Sequence, residues 1–82
     1  MSRFAKAIER LLARPKDFTW NELQTILTHL GYREISRSGS RRKFIHAAAE
    51  SIISLHEPHP QPFLKRYALD YVIDELRKQN LI

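Results

Sequence analysis

The stretch Tyr32-Arg-Glu-Ile-Ser-Arg-Ser-Gly-Ser-Arg-Arg-Lys-Phe-Ile-His-Ala-Ala-Ala-Glu-Ser-Ile-Ile-Ser-Leu-His56 decides the fold, because the hydrophobic period changes on entering it and changes back beyond it. Three short runs within it, 32–36, 41–47 and 51–56, carry β-branched or aromatic residues and are separated by Ser-Arg-Ser-Gly and by Ala-Ala-Glu. Such runs between turn residues predict a three-stranded antiparallel meander. Alternation along a strand then sorts its side chains. Phe44 and Arg42 share one face, and Arg41, Lys43 and Ile45 share the other. Ile53 and Leu55 likewise oppose Ser54 and His56. With Phe44, Ile53 and Leu55 turned toward helices, Arg41, Lys43, Ser54 and His56 lie on the open side of the sheet. Arg42 is left at an inward position near the strand start, where its aliphatic stem can carry the charge out to solvent.

Outward from the strands the period is helical. Upstream, Thr19 and Glu22 form a capping box, Leu23, Ile26, Leu27 and Leu30 make one apolar stripe, and Gly31 supplies the stop, predicting a helix over 20–30. Trp20 in its first turn is expected to be part core and part hinge against a first helix. That helix, over 3–13, follows from Phe4, Ile8, Leu11 and Leu12 and stops before Pro15. Downstream, Pro58, Pro60 and Pro62 make 57–63 a stiff loop that ends the sheet. Residues 64–79 return to helical spacing, with Ala68, Leu69, Val72, Ile73 and Leu76 inward and Lys65, Arg66, Asp70 and Asp74 among the outward positions. The order α-α-β-β-β-α is an α+β fold.

At 82 residues the chain has material for one hydrophobic core, so a single domain over 1–82 is expected, with residues 1–13 as an added N-terminal helix. It has no cysteine, which excludes disulfides, thiolate metal sites and a cysteine nucleophile and suits a reducing cytoplasm. No apolar run approaches the length of a membrane span, and Met1 to Lys16 lacks the uninterrupted apolar core of a signal peptide. A net charge of +5 favours a polyanionic partner. Segment 32–46 holds Arg33, Arg37, Arg41, Arg42 and Lys43 against one acid, Glu34, and so carries four of those five charges. The turn Ser38-Gly39-Ser40 beside these arginines can offer backbone N–H groups and hydroxyls to a phosphate.

A cationic face beside a histidine is suited to RNA cleavage without a metal. The 2′-hydroxyl is then the nucleophile, and the protein must take its proton and neutralise the crowded phosphate. Imidazole suits the first task, and arginine suits only the second, since it stays protonated and binds phosphate oxygens in pairs. Of the four histidines, His29 in the second helix reads as a helix-end cation and His46 as a structural residue of the inward parity. His56 and His59 remain. Their His-Glu-Pro-His spacing falls short of the ligands a zinc site needs, so neither a metal nor a cofactor is expected.

Four blocks resemble a known family. Arg14-Pro-Lys-Asp-Phe-Thr-Trp20 leads into the helix ending Leu30-Gly31-Tyr32. Then come Ser38-Gly39-Ser40-Arg41-Arg42-Lys43-Phe44-Ile45-His46, Ile53-Ser-Leu-His-Glu-Pro-His-Pro60 and Leu64-Lys65. In this order they are similar to the HicA toxins of bacterial toxin–antitoxin systems, over about residues 14–76. The resemblance implies a fold like the double-stranded-RNA-binding domain, with helices on one face of the sheet. It also implies an mRNA-cleaving toxin inhibited by a HicB-type antitoxin. Many members of the family carry Gly-Ser-His with a catalytic histidine, whereas here Gly39-Ser40 is followed by Arg41. The expected catalytic set is therefore His56, with His59 as the lesser candidate, and Arg41 on the phosphate. The expected RNA contacts are Arg37, Ser38, Gly39, Ser40, Arg41, Lys43 and Lys65. Two other outcomes stay open: RNA binding that blocks translation without cutting, and a basic face that mainly docks an acidic antitoxin.

Overall fold

Thr19 starts the helix that orients the rest of the chain. In the computed structural model, which describes residues 2–36 and 39–82, the Thr19 hydroxyl accepts from the Glu22 N–H at 3.2 Å. The Glu22 carboxylate accepts from the Thr19 N–H at 3.0 Å in return. This capping box opens α2, Trp20–His29. Arg10 from α1, Arg3–Ala13, donates to the same carboxylate at 2.6 Å and holds it below the usual carboxylate range. One acid thus caps α2 and fastens α1 to it.

The end of α2 corrects the first strand. Gly31, at φ 103°, sits where the Tyr32 N–H reaches the Leu27 carbonyl at 2.9 Å and the Gly31 N–H reaches Thr28 at 3.1 Å. These two bonds are the Schellman closure that a left-handed residue permits. Tyr32 is consequently spent on the helix terminus, and β1 runs Arg33–Ser36 rather than from residue 32. β2, Arg41–His46, and β3, Ser51–His56, complete an antiparallel sheet in the order β1-β2-β3. The second strand stops one residue short of the expected 47, because Ala47 enters the turn whose Ala49 N–H donates to His46 Nδ1 at 3.1 Å.

The helices lie on one face, α2 packing on β1, α3 (Arg66–Lys78) on β3, and α1 against both helices. Phe18, Phe44, Leu23, Leu27, Ile53, Leu69 and Ile73 are fully enclosed between these layers. Trp20 is 4% exposed, with its ring 5.6 Å from that of Phe44, so it belongs to the core against the sheet rather than to a hinge. Among the described residues the one buried polar side chain, Ser51, donates to Glu75 at 2.6 Å. Its single proton is then used, so the Tyr32 hydroxyl 2.7 Å away must be the donor in their contact. Burial raises the Tyr32 pKa and keeps that proton in place, while the Ser51 hydroxyl lowers that of Glu75.

The last helix begins two residues later than its apolar pattern predicts. The Leu64 N–H is taken by the Phe18 carbonyl at 2.8 Å, and the Trp20 N–H by the Pro62 carbonyl at 2.9 Å. These bonds clamp the proline loop to the connection between α1 and α2, and fix the loop beside the end of β3.

Candidate nucleic-acid interface

Strand register builds the site. Arg41 pairs with His56, Lys43 with Ser54 and Ile45 with Ile52, while Arg33 and Ile35 of β1 pair with Ile45 and Lys43. Directly paired residues share a face, so all of these side chains lie opposite the helices. The expected open face of Arg41, Lys43, Ser54 and His56 is thus brought together, and these residues line a cleft of about 90 Å³ between β2 and β3. Toward the other end of the same face Ile45 and Ile52 face each other, Ile52 53% exposed, with Arg33 of β1 beside Ile45. The cations at Arg41 and Lys43 thus form a cationic half at the His56 end, and isoleucines predominate toward the other end.

The turn between β1 and β2 supports the cationic half. Gly39 takes φ 63°, the left-handed region that favours glycine, and nothing lies within 4 Å of where its side chain would be. Ser40 meets the imidazole: its Oγ lies 3.3 Å from His56 Nδ1, and its carbonyl accepts from the Glu57 N–H at 2.8 Å. Arg37 and Ser38, also expected to contact RNA, lie outside the described residues.

Beyond His56 the chain turns into the proline loop and forms a groove of about 420 Å³ with the start of α3. His56, His59 and Lys65 all line it, so both histidines singled out in the sequence border one space. His59 and Ser40 also border a second hollow of about 340 Å³ with Gly39, Arg42 and Glu57.

Arg42 departs from expectation. Its guanidinium does not simply reach solvent: it lies 3.2 Å from Glu57 and 3.7 Å from Glu34, and donates to the Gly39 carbonyl at 2.9 Å. Its charge is therefore largely spent inside the protein, and the net charge offered by this hairpin is smaller than the segment's composition suggests. Glu57, weighed in the sequence as too little, beside the two histidines, for a metal site, is the nearer of the two acids that do this. The two histidines read as structural are so placed. His46 accepts from the Ala49 N–H and stands edge-on to Tyr32 at 5.1 Å. A methyl group added to Gly31 would come within 2.8 Å of the His46 ring. His29 stacks on Phe4 at 3.9 Å, on the helical side.

Sequence reasoning also missed the aromatic wall of the groove. Phe63 and Tyr67 line it, and Tyr71 follows one turn later along α3, its hydroxyl accepting from the Ser54 N–H at 3.2 Å. All three rings are substantially exposed. A signal was present: aromatic residues at 63, 67 and 71 recur every four positions, off the apolar stripe of Ala68, Leu69, Val72, Ile73 and Leu76.

Among the described residues, no three His, Asp or Glu side chains converge in a way that could hold a metal ion, and no helix is long and apolar enough to cross a membrane. No curated protein and no solved structure matches the chain. Residues 20–78, well over half of its length, match the family described as HicA toxin of bacterial toxin-antitoxin. That span contains the whole sheet, both helices flanking it, the turn at Gly39-Ser40 and the groove, and leaves α1 outside. The chain belongs to the HicA toxin family.

Proposed function

We propose that this HicA toxin acts in the cytoplasm, binds mRNA across the cationic half of its open sheet face, and cleaves it without a metal. A HicB-type antitoxin neutralises it. The whole chain acts as one unit, with α1 as an addition to the family's fold.

The observation that carries this reading is the pairing of Arg41 with His56. In family members with Gly-Ser-His the histidine stands at the position of Arg41. Here the directly opposed residue on the neighbouring strand supplies an imidazole instead, and opposed side chains start only about 5 Å apart. In the reaction, His56 takes the proton of the 2′-hydroxyl as its oxygen attacks phosphorus, and the bond to the 5′-oxygen breaks. A 2′,3′-cyclic phosphate is left on one fragment and a 5′-hydroxyl on the other. In this reading His59, which lines the same groove, protonates the departing oxygen. Arg41 and Lys43 stabilise the negative charge that gathers on the phosphorane oxygens.

Purified protein is expected to cut RNA in excess chelator and leave 2′,3′-cyclic ends, and the product of the adjacent reading frame is expected to suppress the cutting. RNA that is retained but left intact overturns the cleavage step and favours the second reading, a toxin that blocks translation by binding alone. The substitution at Arg41 is the specific observation behind that alternative.

The role given to Arg41 has its own test. One phosphate contact contributes about 0.7 to the slope of log Kd against log salt for a single strand. Arg41→Ala is therefore expected to weaken RNA binding and flatten that slope by about this amount. A slope equal to that of the unmodified protein removes Arg41 from the interface.

A further inference from the structure

We propose that Tyr67 is a base-stacking platform that restricts this toxin to unpaired RNA, an inference resting on the reading that the groove receives RNA. Tyr67 is 74% exposed at the wall of the groove that also holds His56, His59 and Lys65. It has no aromatic or cationic partner among the described residues. A large ring left so open beside a histidine and a lysine is poorly explained by folding, since it contributes little to the core. It is well explained by nucleic acid, because every base has a π-face and a nearby cation meets the adjoining phosphate.

The exposure of the ring supports an unpaired strand. A base that stacks on Tyr67 must present its flat face to the ring, and bases inside a duplex offer only their edges in the grooves. Phe63, 42% exposed on the same groove, extends the wall toward the proline loop. A fold related to double-stranded-RNA binders is in this way equipped along α3 for the opposite kind of substrate.

The test uses the full chain with a short single-stranded RNA carrying 2-aminopurine and with the same RNA annealed to its complement. The RNA carries 2′-O-methyl groups so that the 2′-oxygen cannot attack and the strand stays whole; fluorescence then reports stacking, and anisotropy of an end label reports binding. Single-stranded RNA is expected to bind with quenching of 2-aminopurine and the duplex to bind more weakly. Tyr67→Ala is expected to lose the quenching and about 10- to 100-fold in affinity, while Tyr67→Phe stays within about threefold. Because the ring is exposed and alanine favours helix, the Ala variant keeps its fold, which circular dichroism verifies. Equal affinity of the Ala variant, or equal affinity for duplex, overturns the stacking role and leaves the RNA reading standing. Failure of every form of RNA to bind the unmodified protein overturns both.

Discussion

His56→Ala is expected to lower the rate of RNA cleavage by about 10²- to 10⁴-fold, the usual contribution of a positioned general base. The Kd for RNA should move by less than about threefold. The asymmetry follows from the proposed roles: Arg41, Lys43 and Lys65 are assigned to phosphate, whereas an imidazole contributes mainly to proton transfer. His56 is exposed at the end of β3, and among the described residues its side chain is hydrogen-bonded to Ser40 alone, so removing it should change stability by no more than about 0.5 kcal/mol. Single-turnover cleavage with enzyme in excess separates the rate from binding. Loss of binding together with rate would make His56 a contact rather than the base, and unchanged cleavage would remove it from the chemistry. His59→Ala, measured alongside, reports whether the second imidazole handles the leaving group.

Phe44→Ala is the substitution with the largest expected effect on the folded state, about 3–5 kcal/mol. Phe44 is the central residue of the middle strand, paired with Glu34 on one side and Ile53 on the other, and its ring is closed in beneath Trp20. A chain of this length has on the order of 4–12 kcal/mol of total stability, so the loss takes a large share of it. The urea midpoint should fall by about 2–4 M, or no folded baseline should remain. Phe44→Leu, which refills part of the space, should lose about 1–2 kcal/mol. A loss under 1 kcal/mol for the alanine variant would mean that the cleft between β2 and β3 does not rest on this ring. Because Lys43 and Ile45 flank Phe44 and face the other way, destabilising the ring also loosens the cationic face.

Much of this was legible in the amino-acid sequence because it is governed by local rules. The capping box at Thr19 and Glu22, the stop at Gly31 and the alternation around Phe44 each rest on residues a few positions apart. The placement of Arg41, Lys43, Ser54 and His56 on one face needed only strand parity and the assumption that the largest apolar residues point inward. What was not legible depends on contacts between distant segments. Arg42 meets Glu57 from beyond the next strand, and no rule of spacing announces that pair. Leu64 reads as helix by periodicity, yet its N–H is drawn off by Phe18. The groove escaped notice because a loop supplies one wall and α3 the other. The tyrosines along α3 carried a visible four-residue rhythm, but attention to the buried stripe passes over residues that lie beside it.

The clamp between residues 18–20 and 62–64 bears on when the protein becomes active during its synthesis. Joining these segments closes a long chain loop at an entropic cost on the order of 3 kcal/mol, repaid only once the intervening sheet and the last helix have packed. The wall of the groove that carries His59 cannot form before Leu64 has emerged and folded back on Phe18, and the wall that carries Tyr67 waits for α3. A nascent or prematurely terminated chain therefore displays the basic hairpin without the groove. Such a fragment keeps the arginines of the hairpin but lacks the groove that brings His56 and His59 to one space.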